Sequence, residues 1–345
     1  MNPKPHTVQI STSLKQENIA FYDCREDCFR LYGVSYENGI FRRMPEAVAK
    51  NVSDMVYTHH AHASGGRIKF VTDSDFIAIH TKMPVISKLP HYPMTGSSAF
   101  DLYVNNEYFR TFMPEVDMEG GYERLVSFGT KQKREIMIHF PLHSSVSELY
   151  IGLNEDAYIK KAKAYKYEKP IVYYGSSITQ GACASRPGNS YENRIARALN
   201  TNFWSLGLDA SAKAEDAIAQ YIAGLDMSIF VFDYDHNAPD LAHLQATHQK
   251  MFKTIRAANP DLPIVLLSRP KYTLNDDDKL RLETVKKTYT DALAAGDKNV
   301  YFIPGPELMQ YAKNDGTVDN THPNDLGFYS ISKVLGKLLK TILKK

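Results

Sequence analysis

Beyond Pro170 the chain carries five short, almost continuously apolar runs, IVYYG, NFWSLGL, MSIFVFDYD, LPIVLLS and NVYFIPG, each followed by a stretch with helical periodicity. A strand that is apolar on both faces must be covered on both faces, and the intervening helices supply that cover. The runs therefore predict a parallel, doubly wound sheet between two helical layers. The helices expected are SYENRIARAL, AEDAIAQYIAGL, a long one from Pro239, DKLRLETVKKTYTDALAAG and the C-terminal YSISKVLGKLLKTILKK. The last of these has the pattern of a membrane-surface helix. A net charge of only +2 gives it no basic field to act with, so it is read as a packing helix whose lysines face water and complement the negative end of its dipole.

The front half has a different rhythm. From about Ile68 to Leu153, alternating segments such as RIKFVT, FIAIHT, FDLYV and EIMIHF are separated by the turn-rich stretches TDSD, MTGSS and VNNE. That pattern predicts the short antiparallel strands of a β-sandwich. The stretch KKAKAYKYEKP, ending in Pro170, is read as the connector. It divides the chain into an N-terminal β-sandwich domain over 1–165 and an α/β domain over 166–345, each of ordinary domain size.

Composition narrows the function. Hydrophobic residues at 43% and charged residues at 23% describe two folded halves rather than a disordered chain. The small net charge excludes nucleic acid and anionic lipid as primary partners, and no apolar run reaches the roughly 18 residues of a membrane span. The start, MNPKPHTVQISTSLKQ, lacks a charged-then-apolar leader. The expectation is a cytoplasmic protein if the chain is complete, and a periplasmic or secreted one if a leader preceded it. Cys24, Cys28 and Cys183 are too few and too oddly spaced for a disulfide framework or a zinc site and are read as free thiols.

In an open parallel sheet, ligands bind beyond the carboxyl ends of the strands, so the residues that follow strands are the candidates for chemistry. Gly175-Ser176-Ser177-Ile178-Thr179-Gln180-Gly181 follows the first strand, where a serine at a strand-to-helix turn is exposed near a helix N-terminus. Taken alone, such a serine is an ordinary helix cap. After the last strand comes Asp319-Asn320-Thr321-His322, whose spacing lets a carboxylate hold one imidazole nitrogen and leave the other free. Taken alone, the pair reads equally as a hydrogen-bonded turn. Between them, SLGLDAS offers backbone amides and DYDHNAP offers the side-chain amide of Asn237, either of which suits a developing oxyanion.

The order of these blocks, serine after the first strand, a small-residue loop after the second, asparagine after the third and Asp-x-x-His at the end, resembles the SGNH (GDSL-like) hydrolase family over about residues 170–345. Ser98-Ala99-Phe100-Asp101-Leu102-Tyr103 likewise resembles the GxDLY-type β-domain that precedes such domains in bacterial hydrolases, and the two together look like the branch that includes carbohydrate O-acetylesterases. The resemblance implies a flavodoxin-like α/β/α hydrolase domain behind a jelly-roll-like β-sandwich. It puts the nucleophile on Ser177, the base on His322 and its acid partner on Asp319, with oxyanion donors at the Ser177 and Ala210 amides and at Asn237. Ser176 stands where the family usually has Asp, and Ala210 where it has Gly, while Gly207 matches an earlier glycine of the same loop.

The implied activity is removal of acetyl or other short acyl groups from carbohydrate esters through a Ser177 acyl-enzyme, on a small-molecule or oligosaccharide substrate, with no metal and no cofactor. Gly207 and Arg186 are candidates to contact substrate, although Arg186 is equally placed to brace its loop. Thr58-His59-His60-Ala61-His62 has the look of a metal tract but lacks further ligands at a fixed spacing. An acyltransferase, a lipase or thioesterase for longer chains, and a carbohydrate-binding protein with a decayed site remain as other readings. The sequence does not indicate an oligomeric state.

Overall fold

The computed structural model describes residues 5–344. Residues 1–4, where the segment read for a leader begins, and Lys345 at the end of the C-terminal stretch lie outside the described residues. The chain forms two compact units. One comprises residues up to Arg43, Ala61–Ala164 and Ser185–Gly188; the other comprises Met44–His60, Tyr165–Ala184 and the rest of the chain from Asn189.

In the second unit the five apolar runs form parallel strands at Tyr167–Gly175, Thr201–Gly207, Ile229–Asp233, Ile264–Leu267 and Val300–Ile303. Their order across the sheet is second, first, third, fourth, fifth, which is the flavodoxin-like order with its switch point beside the first strand. Every residue of Ile229–Asp233 is buried, as a strand covered on both faces requires. The helices fall into two packed sets, Tyr191–Leu199 with Asp325–Ile342, and Asp216–Ala223, Leu241–Ala258 and Asp276–Ala294 in succession. Four of the five start on side-chain caps, from Ser190, Asp240, Asn275 and Asn324. No helix among the described residues is long and apolar enough to cross a membrane.

Met44–His60 belongs to this unit although it lies deep in the first half of the sequence. Its two helices, Glu46–Val52 and Asp54–His59, bury Met44, Ala49 and Val56 in one core with Leu208, Ile218 and Ile222. The boundary at Ala164 and Tyr165 is thus crossed by two segments rather than forming a single cut between 165 and 166. KKAKAYKYEKP is also not a free connector. Ile159–Lys161 is a strand of the first unit, and Tyr167–Pro170 opens the first parallel strand. Pro170 is tolerated there because the pairing shifts register between Tyr167 and Ile171, while its carbonyl accepts the Ser228 amide at 2.8 Å.

The first unit is built on two antiparallel sheets, with a separate two-stranded sheet of Ser35–Glu37 and Ile40–Arg42. Of the larger two, one runs in the order Thr7–Val8, Ile19–Asp23, Glu148–Asn154, Phe76–Lys82, Gly121–Ser127; the other runs Ile159–Lys161, Arg67–Thr72, Arg134–His139, Phe100–Val104, Glu107–Phe112. Ile77, Ile79 and Ile151 of the first share a core with Ile68, Phe70, Leu102 and Ile138 of the second, so alternate residues of each strand meet in the sandwich interior. All three cysteines are free thiols, with Cys24 and Cys183 buried.

Two carboxyl groups are buried under the parallel sheet's carboxyl edge with no cation beside them among the described residues. Asp233 accepts hydrogen bonds from Thr179 Oγ1 at 3.0 Å and Tyr191 OH at 3.2 Å, and Glu192 accepts from Ser205 Oγ at 3.2 Å. Burial pushes Asp233 up to about 7 and Glu192 up to about 8, against the opposing pull of those hydroxyls. The folded chain therefore keeps protons that the unfolded chain releases near pH 4, and stability is greatest below that pH and falls as pH rises through the folded values. Melting temperature should decline from about pH 5 to about pH 8, and Asp233→Asn, which removes one titration, should flatten the decline. A variant with the wild-type slope, measured by calorimetry across that range, would contradict a protonated Asp233.

Candidate active site

The first strand ends at Gly175, and the chain turns at once into the short helix Ser177–Gln180. Ser176 is its N-cap, its hydroxyl accepting the Ile178 amide at 3.1 Å. A serine caps as well as an aspartate, which accounts locally for the departure from the family pattern at this position. The turn is tight enough to exclude side chains around it. A Cβ on Gly207, at the end of the neighbouring strand, would fall 2.2 Å from the Gln180 amide nitrogen, backbone against backbone. Gly207 therefore lets the second strand press against the helix that carries Ser177, a packing reason for a glycine expected to meet substrate.

Ser177 is 6% exposed. Its Oγ lies 3.0 Å from His322 Nε2, and His322 Nδ1 lies 2.7 Å from Asp319 Oδ2. A carboxylate at that distance calls for a proton on Nδ1, which leaves Nε2 to accept from the serine hydroxyl. The other oxygen, Asp319 Oδ1, accepts the backbone amides of His322 at 2.7 Å and Thr321 at 3.0 Å. The turn and the imidazole contact suggested by the sequence thus coexist, one oxygen for each. Burial works to raise the Asp319 carboxyl, but these hydrogen bonds and the neighbouring imidazole hold it down at about 2, so it is ionised at any ordinary pH.

The loop after the second strand turns through Leu208-Asp209-Ala210-Ser211, closed by the Ser211 amide on the Leu208 carbonyl at 3.0 Å. Ala210 occupies its third position at φ 52°, the left-handed region that a type II turn requires there and that favours glycine. Its N–H has no hydrogen-bond partner among the described residues. Asn237, in the turn Asp235–Asn237 after the third strand, donates from Nδ2 to the Leu208 carbonyl at 2.8 Å. An amide NH₂ has two hydrogens, so one ties the two loops together and the other is left over. The four blocks that follow strands in sequence are thereby linked: Asn237 joins the second and third, and His322 joins the first and last.

The remaining expectations resolve by contact. Arg186 lies in the first unit, its guanidinium 3.8 Å from the Tyr108 ring centroid and hydrogen-bonded to Tyr103 OH and to Asp101 Oδ2, the latter at 3.3 Å. These are bracing contacts. Asp101, fully buried, also accepts from His139 Nδ1 at 2.6 Å and from the Gly188 amide at 2.7 Å. Burial tends to raise its carboxyl, and the imidazole, guanidinium and amide together hold it lowered. The motif 98–103 had signalled a domain type, but the role of Asp101 as an anchor for 186–188 needed the fold. Within the histidine-rich tract, His59 Nδ1 faces Ser211 Oγ at 3.3 Å, His60 Nδ1 meets the Tyr57 carbonyl, and the His62 ring packs edge-on to His143. A cavity of about 670 Å³ in the second unit, lined by Phe252, Arg256, Pro260, Asp297 and Asn299 among others, contains none of the candidate residues.

Ala210 offers a direct test of this geometry. Relieving a left-handed alanine with Ala210→Gly should stabilise the fold by about 1 kcal/mol, less the greater freedom of glycine in the unfolded chain. The melting temperature should rise by about 2 °C. A fall would mean that the turn does not hold Ala210 left-handed.

Comparison with known proteins places this site in context. Residues 168–340 match the model of the GDSL-like lipase/acylhydrolase family, and residues 19–159 match that of the N-terminus of SGNH-hydrolase-type esterases. No curated protein sequence matches the chain. Among solved structures, a Bacteroides ovatus protein assigned as a GDSL-like lipase is similar at 29% identity and TM-score 0.85, over 95% of this chain and 98% of that one. A salicylyl-acyltransferase from a tetracycline biosynthetic pathway shares the fold at 20% identity and TM-score 0.77, again over 95% and 98%. An acetyl xylan esterase from the rumen bacterium Butyrivibrio proteoclasticus shares it at 12% identity and TM-score 0.62, over 94% and 99%. The family match spans half the chain and includes every block that folds into the Ser177–His322–Asp319 contact, so this chain belongs to the GDSL-like lipase/acylhydrolase family.

Proposed function

We propose that this chain is a serine esterase that removes acetyl or other short acyl groups from carbohydrate esters. The observation that carries the reading is the unbroken hydrogen-bond chain from Ser177 Oγ through His322 to Asp319. Ser177 Oγ attacks the ester carbonyl as His322 Nε2 takes its proton, and the alkoxide leaves with that proton. Water then attacks the acyl-enzyme carbonyl with His322 again as base, and collapse breaks the bond to Ser177 Oγ, which takes the proton back from His322 as the carboxylic acid leaves. Asp319, ionised, holds the imidazole in the required tautomer and stabilises its cationic form.

The carbonyl oxygen, as it becomes an oxyanion, is received by the amides of Ser177 and Ala210 and by the free N–H of Asn237. Each such donor is worth about 3 kcal/mol at the transition state. Acetylated sugars are the class to test first because the two-unit architecture is shared with the acetyl xylan esterase, a likeness of fold. The likeness to the salicylyl-acyltransferase supports a second reading, in which the same acyl-enzyme passes its acyl group to an alcohol other than water.

Ser177→Ala should lower acetate release from acetylated oligosaccharides by about 10⁴-fold or more while leaving the melting temperature near wild type. A fluorophosphonate probe should label wild type on Ser177 and leave the variant unlabelled. Turnover of p-nitrophenyl esters should fall beyond acetate. Full activity in the variant would end the serine mechanism, preference for long chains would end the acetylesterase, and products carrying an added acceptor alcohol in place of free acetate would favour acyl transfer.

A further inference from the structure

The turn that carries Asn237 rests on two arginines, Arg269 after the strand Ile264–Leu267 and Arg281 in the helix Asp276–Ala294 that follows it. Asp235, which opens the turn, is fully buried, and its Oδ2 accepts the Arg269 backbone amide at 2.9 Å. The Arg269 and Arg281 guanidinium groups lie 3.4 and 3.5 Å from its Oδ1. Arg281 Nη1 also donates to the Asp235 carbonyl at 3.3 Å and to the Ala238 carbonyl at 3.2 Å. One guanidinium thus spans the two peptide groups that bracket His236 and Asn237. Both arginines are held in turn by the start of helix Asp276–Ala294. Asp278 accepts from Arg269 Nη1 at 2.9 Å and closes the capping box with Asn275, and Asp277 accepts from Arg281 Nε at 2.8 Å.

Buried ion pairs of this kind add little net stability, because the cost of desolvating both charges roughly offsets their attraction. What they supply is geometry. The Arg281 guanidinium divides its contacts, Nη1 to the turn and Nε to Asp277, and a lysine ammonium, a single point of charge, cannot hold both at those distances. We infer that Arg281, supported by Arg269, is a positioning residue for Asn237. The clamp fixes the backbone from Asp235 to Ala238, so that the Asn237 amide keeps one N–H on the Leu208 carbonyl and presents the other to the reacting carbonyl. The inference rests on the serine-esterase reading and on Asn237 as oxyanion donor.

A double-mutant cycle tests it, with kcat and KM measured on p-nitrophenyl acetate and active sites counted by fluorophosphonate labelling, so that a misfolded fraction is not read as slow turnover. Arg281→Lys should lower kcat by about 10- to 100-fold, as small misplacements of catalytic groups do, with KM within about twofold. Asn237→Ala should lower kcat by about 100-fold or more. If Arg281 acts through Asn237, adding Arg281→Lys to Asn237→Ala should cost less than about twofold further, since coupled sites are not additive. Losses that multiply, or an unchanged kcat in Arg281→Lys, would overturn the inference. Should Arg281→Lys fail to yield folded protein, the same cycle with Arg269→Lys is scored by the same criteria. A wild type that neither labels nor hydrolyses would instead refute the esterase reading.

Discussion

The contact between Ser177 Oγ and His322 Nε2 joins residues 145 positions apart at 3.0 Å, and the rest of the second unit is arranged so that it can form. The first strand sits inside the sheet, and Gly175 pairs level with Gly207 on one side and Asp233 on the other. Three loops therefore emerge side by side. The loop bearing His322 is stiffened on its own account: the Val318 amide meets the His322 carbonyl at 2.9 Å, and Asn324 binds Gly316 and Asp315 at 3.0 and 2.7 Å before capping the last helix. In the proposed mechanism, holding these groups on rigid elements would remove from the reaction the entropy of bringing them together.

Two aspartates, two residues apart, show how local partners divide the charge beneath this edge. Asp233 finds only hydroxyls, from Thr179 and Tyr191, and burial favours its neutral form. Asp235 is raised as well, burial outweighing the two guanidinium groups and the Arg269 amide that pull the other way. The first ties the helix carrying Ser177 to the sheet through Thr179, and the second ties the turn carrying Asn237 to a distant helix. Both therefore bear on positions where chemistry is expected without touching a reacting atom.

The sheet and its helices were legible because a strand buried on both faces reads as an apolar run and a half-buried strand reads as alternation. RIKFVT keeps that alternation as Arg67–Thr72 although nearly all of the strand is buried, because Arg67 and Lys69 place polar heads on the face that Ile68 and Phe70 leave. Sequence reading failed where a segment's role depended on a distant partner. Lys160 and Tyr167 looked like connector because strand edges rich in Lys and Tyr carry no apolar run, yet both lie in strands. Met44, Ala49 and Val56 carry no sign that they bury with Ile218 and Ile222.

By itself the sequence determined that the second half is a doubly wound parallel sheet, and that Ser177, Asn237, Asp319 and His322 follow its strands, because periodicity and spacing are local properties of the chain. Only the tertiary structure decided that Ala210 is left-handed, that Gly207 is a point of backbone contact, that Arg186 pairs with Asp101, and that two arginines grip the Asn237 turn. Each of these depends on which backbone or charge arrives from elsewhere to fill a particular space, and long-range packing leaves no period in the sequence from which it could be read.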